Sequence, residues 1–250
     1  MFKKITRKIV YKAIPHLRDT NARLEAIEYA FTILATSPEY LSDENSFNRQ
    51  NIRRALVTEV LQEMKPSCII ETGTFLGETT GFFAKFGFPV ISSEISAPIH
   101  YAAKQRLAKF NNIKLMLCDS RLLFRKIISE NLNNKPAFIY LDAHWLDDLP
   151  LLEEIRLIDA NWDNYIILID DFQVPNDPGY GYDKYSKKRI LNLSYISGCL
   201  VNKPIRVFFP SAPSSQESGA KRGYVFLAKG NENIKLLEGL DKLTPNSSLR

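Results

Sequence analysis

Apolar residues recur at helical spacing through the first 65 positions: Leu24, Ile27, Ala30 and Phe31, then Leu56, Val60 and Leu61. Nothing there alternates with the period of a strand, and Ser37-Pro38 and the polar run 42–46 interrupt the pattern. Residues 1–65 therefore read as an N-terminal helical appendage or cap of about two to four helices. From Pro66 the texture changes to short, nearly continuous apolar runs at 68–72, 90–93, 113–118, 137–141 and 165–169, with amphipathic stretches near 77–86, 97–110, 120–131 and 149–160 between them. Strands without a polar face, alternating with helices, describe a parallel sheet covered on both sides. Right-handed crossovers make it doubly wound and Rossmann-like.

Alternation stops after residue 170. A helix is predicted at 184–200, strands at 204–209 and 223–228 joined only by a polar loop, and a short helix with a frayed tail over 230–250. Two strands joined by a loop pair antiparallel. The prediction is thus an α/β domain over 66–250 with a mostly parallel sheet of about seven strands and a terminal antiparallel strand.

Composition narrows the class. The chain has 250 residues, 45% hydrophobic and 24% charged, enough for a full core without staples. Cys68, Cys118 and Cys199 lie far apart and form neither a disulfide framework nor a metal pair, which points to a reduced, cytoplasmic setting. No apolar stretch approaches the ~20 residues of a membrane span. Lys+Arg outnumber Asp+Glu by 33 to 28, partly through Lys3, Lys4, Arg7, Lys8 and Lys12. That cluster offers a peripheral membrane contact, but without basic-aromatic interleaving it gives no reason to expect nucleic acid. A homo-oligomer stays open.

The first chemical motif is Glu71-Thr72-Gly73-Thr74-Phe75-Leu76-Gly77-Glu78-Thr79, a buried strand running through a glycine turn into a helix. Phe75 and Glu78 stand where a dinucleotide fingerprint needs its second and third glycines, and no lysine is present for a P-loop. Glu71 and Glu78 suit a ligand carrying positive charge, such as an ammonium or a sulfonium.

At this motif the chain resembles the class I S-adenosylmethionine (SAM) dependent methyltransferases, over roughly residues 66–229. The resemblance implies that Glu71, Gly73, Thr74, Gly77 and Thr79 form the turn that holds the methionine end of SAM. It also implies that Glu94, ending the second strand, takes the ribose hydroxyls, and that Asp119 and Ser120, after the third, meet the adenine.

The fourth and fifth strands end in Asp142-Ala143-His144-Trp145 and Asp170-Asp171-Phe172. Adjacent parallel strands bring three carboxylates to one edge, where they must be protonated, paired with cations or bound to a metal. Carboxylate oxygens favour a hard ion such as Mg²⁺. The arrangement resembles the metal-dependent O-methyltransferases, catechol-type or TylF/macrocin-like, which implies that Asp142, Asp170 and Asp171 hold a divalent cation. His144 is a general base, a metal ligand or a donor to an aspartate, with Asp142 beside it. Asp148 reads as an N-cap.

Beyond Asp171, Phe172, Tyr180 and Tyr182 lie in a long aromatic loop suited to an acceptor, though tyrosines packing the loop onto the sheet fit equally well. The 210–222 loop reads as a lid. The function expected is a SAM-dependent, Mg²⁺-assisted O-methyltransferase acting on a small-molecule or glycan acceptor: a sugar, glycan or polyphenol hydroxyl. The rivals are a metal-free methyltransferase of the same fold, a nicotinamide-dependent oxidoreductase and a non-catalytic binding module.

Overall fold

The computed structural model describes residues 42–144, 148–186 and 189–246, with Thr20, 23–25 and 27–32 from the N-terminal stretch. The five apolar runs become strands β1 (Cys68–Thr72), β2 (Val90–Glu94), β3 (Ile113–Leu117), β4 (Ala137–Leu141) and β5 (Tyr165–Ile169), all parallel. Every residue of β2, β4 and β5 is buried, as strands covered on both faces require. The helices between them are α2 (Glu78–Ala84), α3 (Ala97–Leu107), α4 (Ser120–Ser129) and α5 (Leu151–Asn161), preceded by α1 (Asn51–Met64).

After β5 come α6 (Leu193–Leu200), β6 (Ile205–Pro210), β7 (Val225–Lys229), α7 (Asn231–Glu238) and β8 (Leu243–Pro245). The sheet has eight strands in the order β3-β2-β1-β4-β5-β7-β6-β8, with β7 antiparallel to β5 and β6. Two details differ from the sequence pattern. β8, antiparallel to β6, is an additional edge strand that its short polar sequence did not announce. The helix expected from residue 184 starts only at Leu193, because the preceding backbone pairs with its surroundings: Asp183 N–H donates to Asp171 O (2.9 Å) and Leu191 N–H to Asp183 O (3.1 Å). No helix among the described residues is long and apolar enough to cross a membrane.

The alternation along β4 and β5 divides the core into two layers. Ile139, Leu141, Ile167 and Ile169 face α4, α5 and α6 through Phe124, Ile155 and Ile196. Phe138, Tyr140, Ile166 and Leu168 face α1, α2 and α7 through Val60, Phe83 and Leu237. Residues 27–32 are helical and place Ala30 against Leu76, Ile99 and Ala102.

α1 belongs to the second layer, so a division at residue 65 runs through one packed core. Its buried positions, Arg53, Leu56, Val57, Val60 and Leu61, follow helical spacing, and four are apolar. Each contributes roughly 1.5–3 kcal/mol by burial, against a net domain stability of about 5–15 kcal/mol. A chain beginning at residue 66 is therefore expected to lose the cooperative urea transition of the full chain and to bind a hydrophobic dye. A sharp, native-like transition in that truncated chain would show instead that the first 65 residues are dispensable.

Candidate active site

Strand order sets where a ligand can sit. The crossovers run in opposite directions from β1 and β4, so a crevice opens beyond their carboxyl ends. Gly73 follows β1 at φ +84°, and a side chain there would collide with the carbonyl of Asp142 after β4. Glycine thus gives both the left-handed turn and the close approach of the two strand ends. The turn is pinned from β2, whose Ser93 carbonyl accepts from Gly73 and Thr74 N–H at 3.0 Å each.

Glu94 lies at this crevice. One carboxylate oxygen accepts from Phe75 N–H (2.9 Å) and the other from Ser96 N–H (2.8 Å). Burial raises its pKa in spite of these bonds. Ile95 beside it is an apolar side chain left 62% exposed. Glu71 lies deeper: it accepts from Thr80 and from Ser92 (2.7 Å), and burial pushes it up to about 7. It ties β1, β2 and α2 together beneath the crevice, and the buried Thr74 hydroxyl joins the same network through Ser92 (2.6 Å). Gly77, at φ +78°, packs on Leu107, and the half-buried Thr79 has its hydroxyl 3.5 Å from Phe47 N–H. Glu78 is paired with Arg106 (2.7 Å).

Asp119 is the N-cap of α4, accepting from Arg121 N–H (2.8 Å). The Arg121 guanidinium holds both its oxygens (2.8 and 2.6 Å), and these hydrogen bonds lower its pKa. Asp148 pairs with Arg121 (2.7 Å) rather than capping α5, whose N-cap is Pro150. Ser120 is buried beside Glu154 of α5. Glu154 is fully buried, and desolvation raises it to about 7 against the hydroxyls of Ser120 and Thr72.

The carboxylates after β4 and β5 separate into two groups. Asp142, His144 and Asp171 each offer a ligand atom within 4.8 Å of the others. Asp170, expected among the metal ligands, is outside this group because its oxygens are occupied. Arg53 Nη1 pairs with Oδ1 at 2.6 Å, Tyr140 OH reaches Oδ2 at 2.5 Å, Asn48 Nδ2 donates to Oδ2 (3.3 Å) and Asp171 N–H to Oδ1 (2.7 Å). Burial works to raise Asp170, but Arg53 and these hydrogen bonds outweigh it and hold its pKa low.

Asp142 keeps 34% of its side chain exposed. Protein nevertheless surrounds it closely enough that desolvation, then the charges of Asp170 and Asp171, raise its pKa well above the usual carboxylate range. Tyr140 OH lies 3.1 Å from its Oδ2, linking it to the Asp170 pair. His144 is only 3% exposed; neither ring nitrogen has a hydrogen-bond partner, and Nε2 is 4.0 Å from Asp142 Oδ1. Desolvation lowers its pKa, which favours the neutral imidazole. Asp171, in the left-handed region at φ +52°, pairs with Arg222, which also pairs with Asp183. Burial and then Asp170 push Asp171 up to about 7.

Several contributors were missed. Arg53 and Arg222 come from 50 or more residues away, Tyr140 from within β4 and Asp183 from the long loop after β5, where no motif marks them. A signal for Arg53 did exist: it is the single charged residue at a buried position of the α1 stripe. The aromatic expectations change too. Phe172 is fully buried against Phe209, and Tyr180 is buried with its OH on Ala212 O (3.1 Å), so both pack the core rather than face an acceptor. Tyr182 stays half-buried.

The segment expected as a lid is fastened across α1. Glu217 accepts from Ile52 and Arg53 N–H (3.0 Å each), neutralising the positive end of the helix, and Ala220 N–H donates to Asn48 O (3.0 Å). Gly219, at φ +63°, fits only because a side chain would strike the carbonyls of Asn48 and Arg49.

No family model and no curated protein matches the sequence. Solved structures do. An O-methyltransferase from Bacillus cereus in complex with SAH superposes with a TM-score of 0.54 at 15% identity, covering 82% of this chain and 91% of that one. TomG from Streptomyces achromogenes, an O-methyltransferase of tomaymycin synthesis in complex with SAM, superposes at 0.54 and 12% identity, covering 83% and 90%. The chain shares its Rossmann-like fold with these two O-methyltransferases. Within that fold, the Asp142, His144 and Asp171 group stands at the ends of the fourth and fifth strands, one strand away from Gly73.

Two outcomes follow for stability. Arg53→Ala leaves the Asp170 charge buried and unpaired, and is expected to cost about 3–5 kcal/mol in urea unfolding, whereas Arg53→Met with Asp170→Leu regains most of that loss. Glu154 binds its proton more tightly folded than unfolded. Its contribution is full below about pH 4.5, its ordinary value, and is lost as pH rises to about 7. Glu154→Gln should therefore reduce that slope, to which Glu71 and Asp171 also contribute, and raise stability at pH 8 by at most about 3 kcal/mol; an unchanged slope would mean that Glu154 has no part in it.

Proposed function

We propose that the chain is a SAM-dependent methyltransferase that transfers a methyl group to a hydroxyl of a small acceptor, a sugar, glycan or polyphenol, with the help of a divalent cation. The reading is carried by the order of groups along neighbouring strand ends: Glu94 after β2, the bare Gly73 after β1, Asp142 with His144 after β4, and Asp171 after β5. Neighbouring strands are about 4.8 Å apart, so the Glu94 end lies roughly 10 Å from the Asp142 end. That is room for a cofactor at one end and an acceptor at the other. The fold shared with two O-methyltransferases, one in complex with SAH and one with SAM, supports it.

The residues fit both groups. Both Glu94 oxygens accept backbone N–H groups, and the four acceptor sites of a carboxylate leave capacity for a ribose hydroxyl. Ile95 offers an apolar ledge for a flat ring. Asp119 stands at the adenine end with its oxygens shared by Arg121. The buried nitrogens of His144, without partners and close to Asp142 and Asp171, fit a cation.

When bound, SAM supplies a methyl group on a sulfonium, and a divalent cation supplies Lewis acidity that lowers the pKa of the acceptor hydroxyl. The rest belongs to the chain. Gly73 lets the backbone come close to the cofactor. A neutral imidazole or a carboxylate among His144, Asp142 and Asp171 takes the acceptor proton. The buried setting limits water, which favours a reaction in which an anionic oxygen and a sulfonium cancel their charges. The Arg53 and Asp170 pair holds Tyr140, and through it Asp142, in place.

Calorimetric titration tests this. SAM should bind and NAD should not, and Glu94→Ala should weaken SAM by about 10–100-fold, the worth of hydrogen bonds to a charged group. Binding of NAD without SAM would overturn the reading.

A further inference from the structure

The acidic and basic groups described around the crevice do not match in number. Among the described residues, four acidic side chains, Asp142, Asp170, Asp171 and Asp183, stand beside two basic ones, Arg53 and Arg222. The shortage is local. Asp170 is matched by Arg53 with no solvent access, and Arg222 is shared by Asp171 and Asp183. What remains falls on Asp142, Asp171 and Asp183, beside a buried imidazole with two unpartnered nitrogens. Crowded carboxyl groups beside a buried, unpartnered imidazole are a setting that a single dication suits.

We propose that Asp142, His144 and Asp171 form a site for one first-row divalent transition ion of the Mn²⁺ type in preference to Mg²⁺, with Arg222 as the fixed counter-charge that leaves room for one dication. This specifies the cation invoked in the reading above and rests on it only for the ion's role in catalysis. The Nε2 of His144 and the Oδ1 of Asp142 are 4.0 Å apart, within the ~4.2 Å that two bonds of ~2.1 Å span. A hydrogen bond is excluded at that distance, and neither ring nitrogen has a partner among the described residues.

The ligand set decides the class of ion. Sequence alone suggested three carboxylates, an all-oxygen set that suits Mg²⁺. The structure takes Asp170 away and puts an imidazole nitrogen in its place. Nitrogen ligands discriminate against Mg²⁺, which prefers oxygen and gives up water reluctantly, and in favour of transition ions, whose affinity for such sites rises along the first row. The backbone of Arg222 is held by the buried side chain of Gln50, which accepts from Arg222 N–H (2.8 Å) and donates to Arg222 O (2.9 Å). Its guanidinium contacts Asp171 through Oδ1, which leaves Oδ2 for the ion.

The test uses the full chain stripped with a chelator and titrated with Mn²⁺, following free Mn²⁺ by electron paramagnetic resonance. One Mn²⁺ should bind per chain, Mg²⁺ should need at least ~100-fold higher concentration to displace it, and the bound ion should show nitrogen coupling in the spin-echo spectrum. His144→Ala should remove that coupling and weaken Mn²⁺ at least ~10-fold, and Asp171→Asn should weaken it comparably while keeping the coupling. Absence of binding, equal competition by Mg²⁺, or bound Mn²⁺ without nitrogen coupling would each overturn the proposal. SAM titrated into the same samples keeps the two readings apart: Mn²⁺ binding without SAM binding sinks the methyltransferase reading alone, and SAM binding without Mn²⁺ binding sinks the metal site alone.

Discussion

Arg53 places a guanidinium where no water reaches it, 2.6 Å from a carboxylate that is itself buried, with the rings of Phe47, Tyr140 and Tyr224 around it. Taking two such charges out of water is costly, and their attraction repays it only when the geometry is good. The pair is therefore weak as a source of stability and strong as a constraint on geometry. It fixes the start of α1 against the end of β5, and so decides which oxygens of the acidic edge are free. Asp170 is consumed, and Tyr140, hydrogen-bonded to it, carries the constraint across to Asp142.

The same constraint joins distant parts of the chain. The segment around Asn48 reaches Asp170 from before α1, and the loop before β7 caps α1 through Glu217 and is itself held at Arg222 by Gln50. Phe47, Asn48 and Arg49 all take left-handed backbone, a strained run held by packing of Phe47 on Phe82, Phe83 and Tyr140. One wall of the crevice is thus built from positions near 50 and near 220, whereas the strands that carry the chemistry lie between them in sequence.

The two ends of the crevice differ in their electrostatics. At the Glu94 end the carboxylate is met by backbone N–H groups, a fixed and modest compensation suited to a neutral, hydroxyl-bearing ligand. At the Asp142 end the described acidic groups outnumber the basic ones and a buried imidazole stands beside them, a setting suited to a cation and to an acceptor oxygen that must lose a proton. Separation along the sheet keeps these demands from interfering.

The sequence by itself determined the layers, the direction of the first five strands, the glycine turn, and the presence of acids at the ends of β2, β4 and β5. Those features follow from local periodicity and from the rule that parallel strands end on one edge, both of which depend only on neighbours along the chain. Tertiary structure decided what each acid does. Asp170 and Asp171 are adjacent in sequence, yet one is paired with Arg53 from α1 and the other faces Asp142 and His144. Phe172 and Tyr180 have the composition of a binding loop, yet burial took them into the core. The edge strand β8 exists only because β6 offers it unpaired backbone. A carboxylate's role is set by the charges and donors that reach it through space, and the arginines that pair with Asp170 and Asp171 come from 117 and 51 residues away.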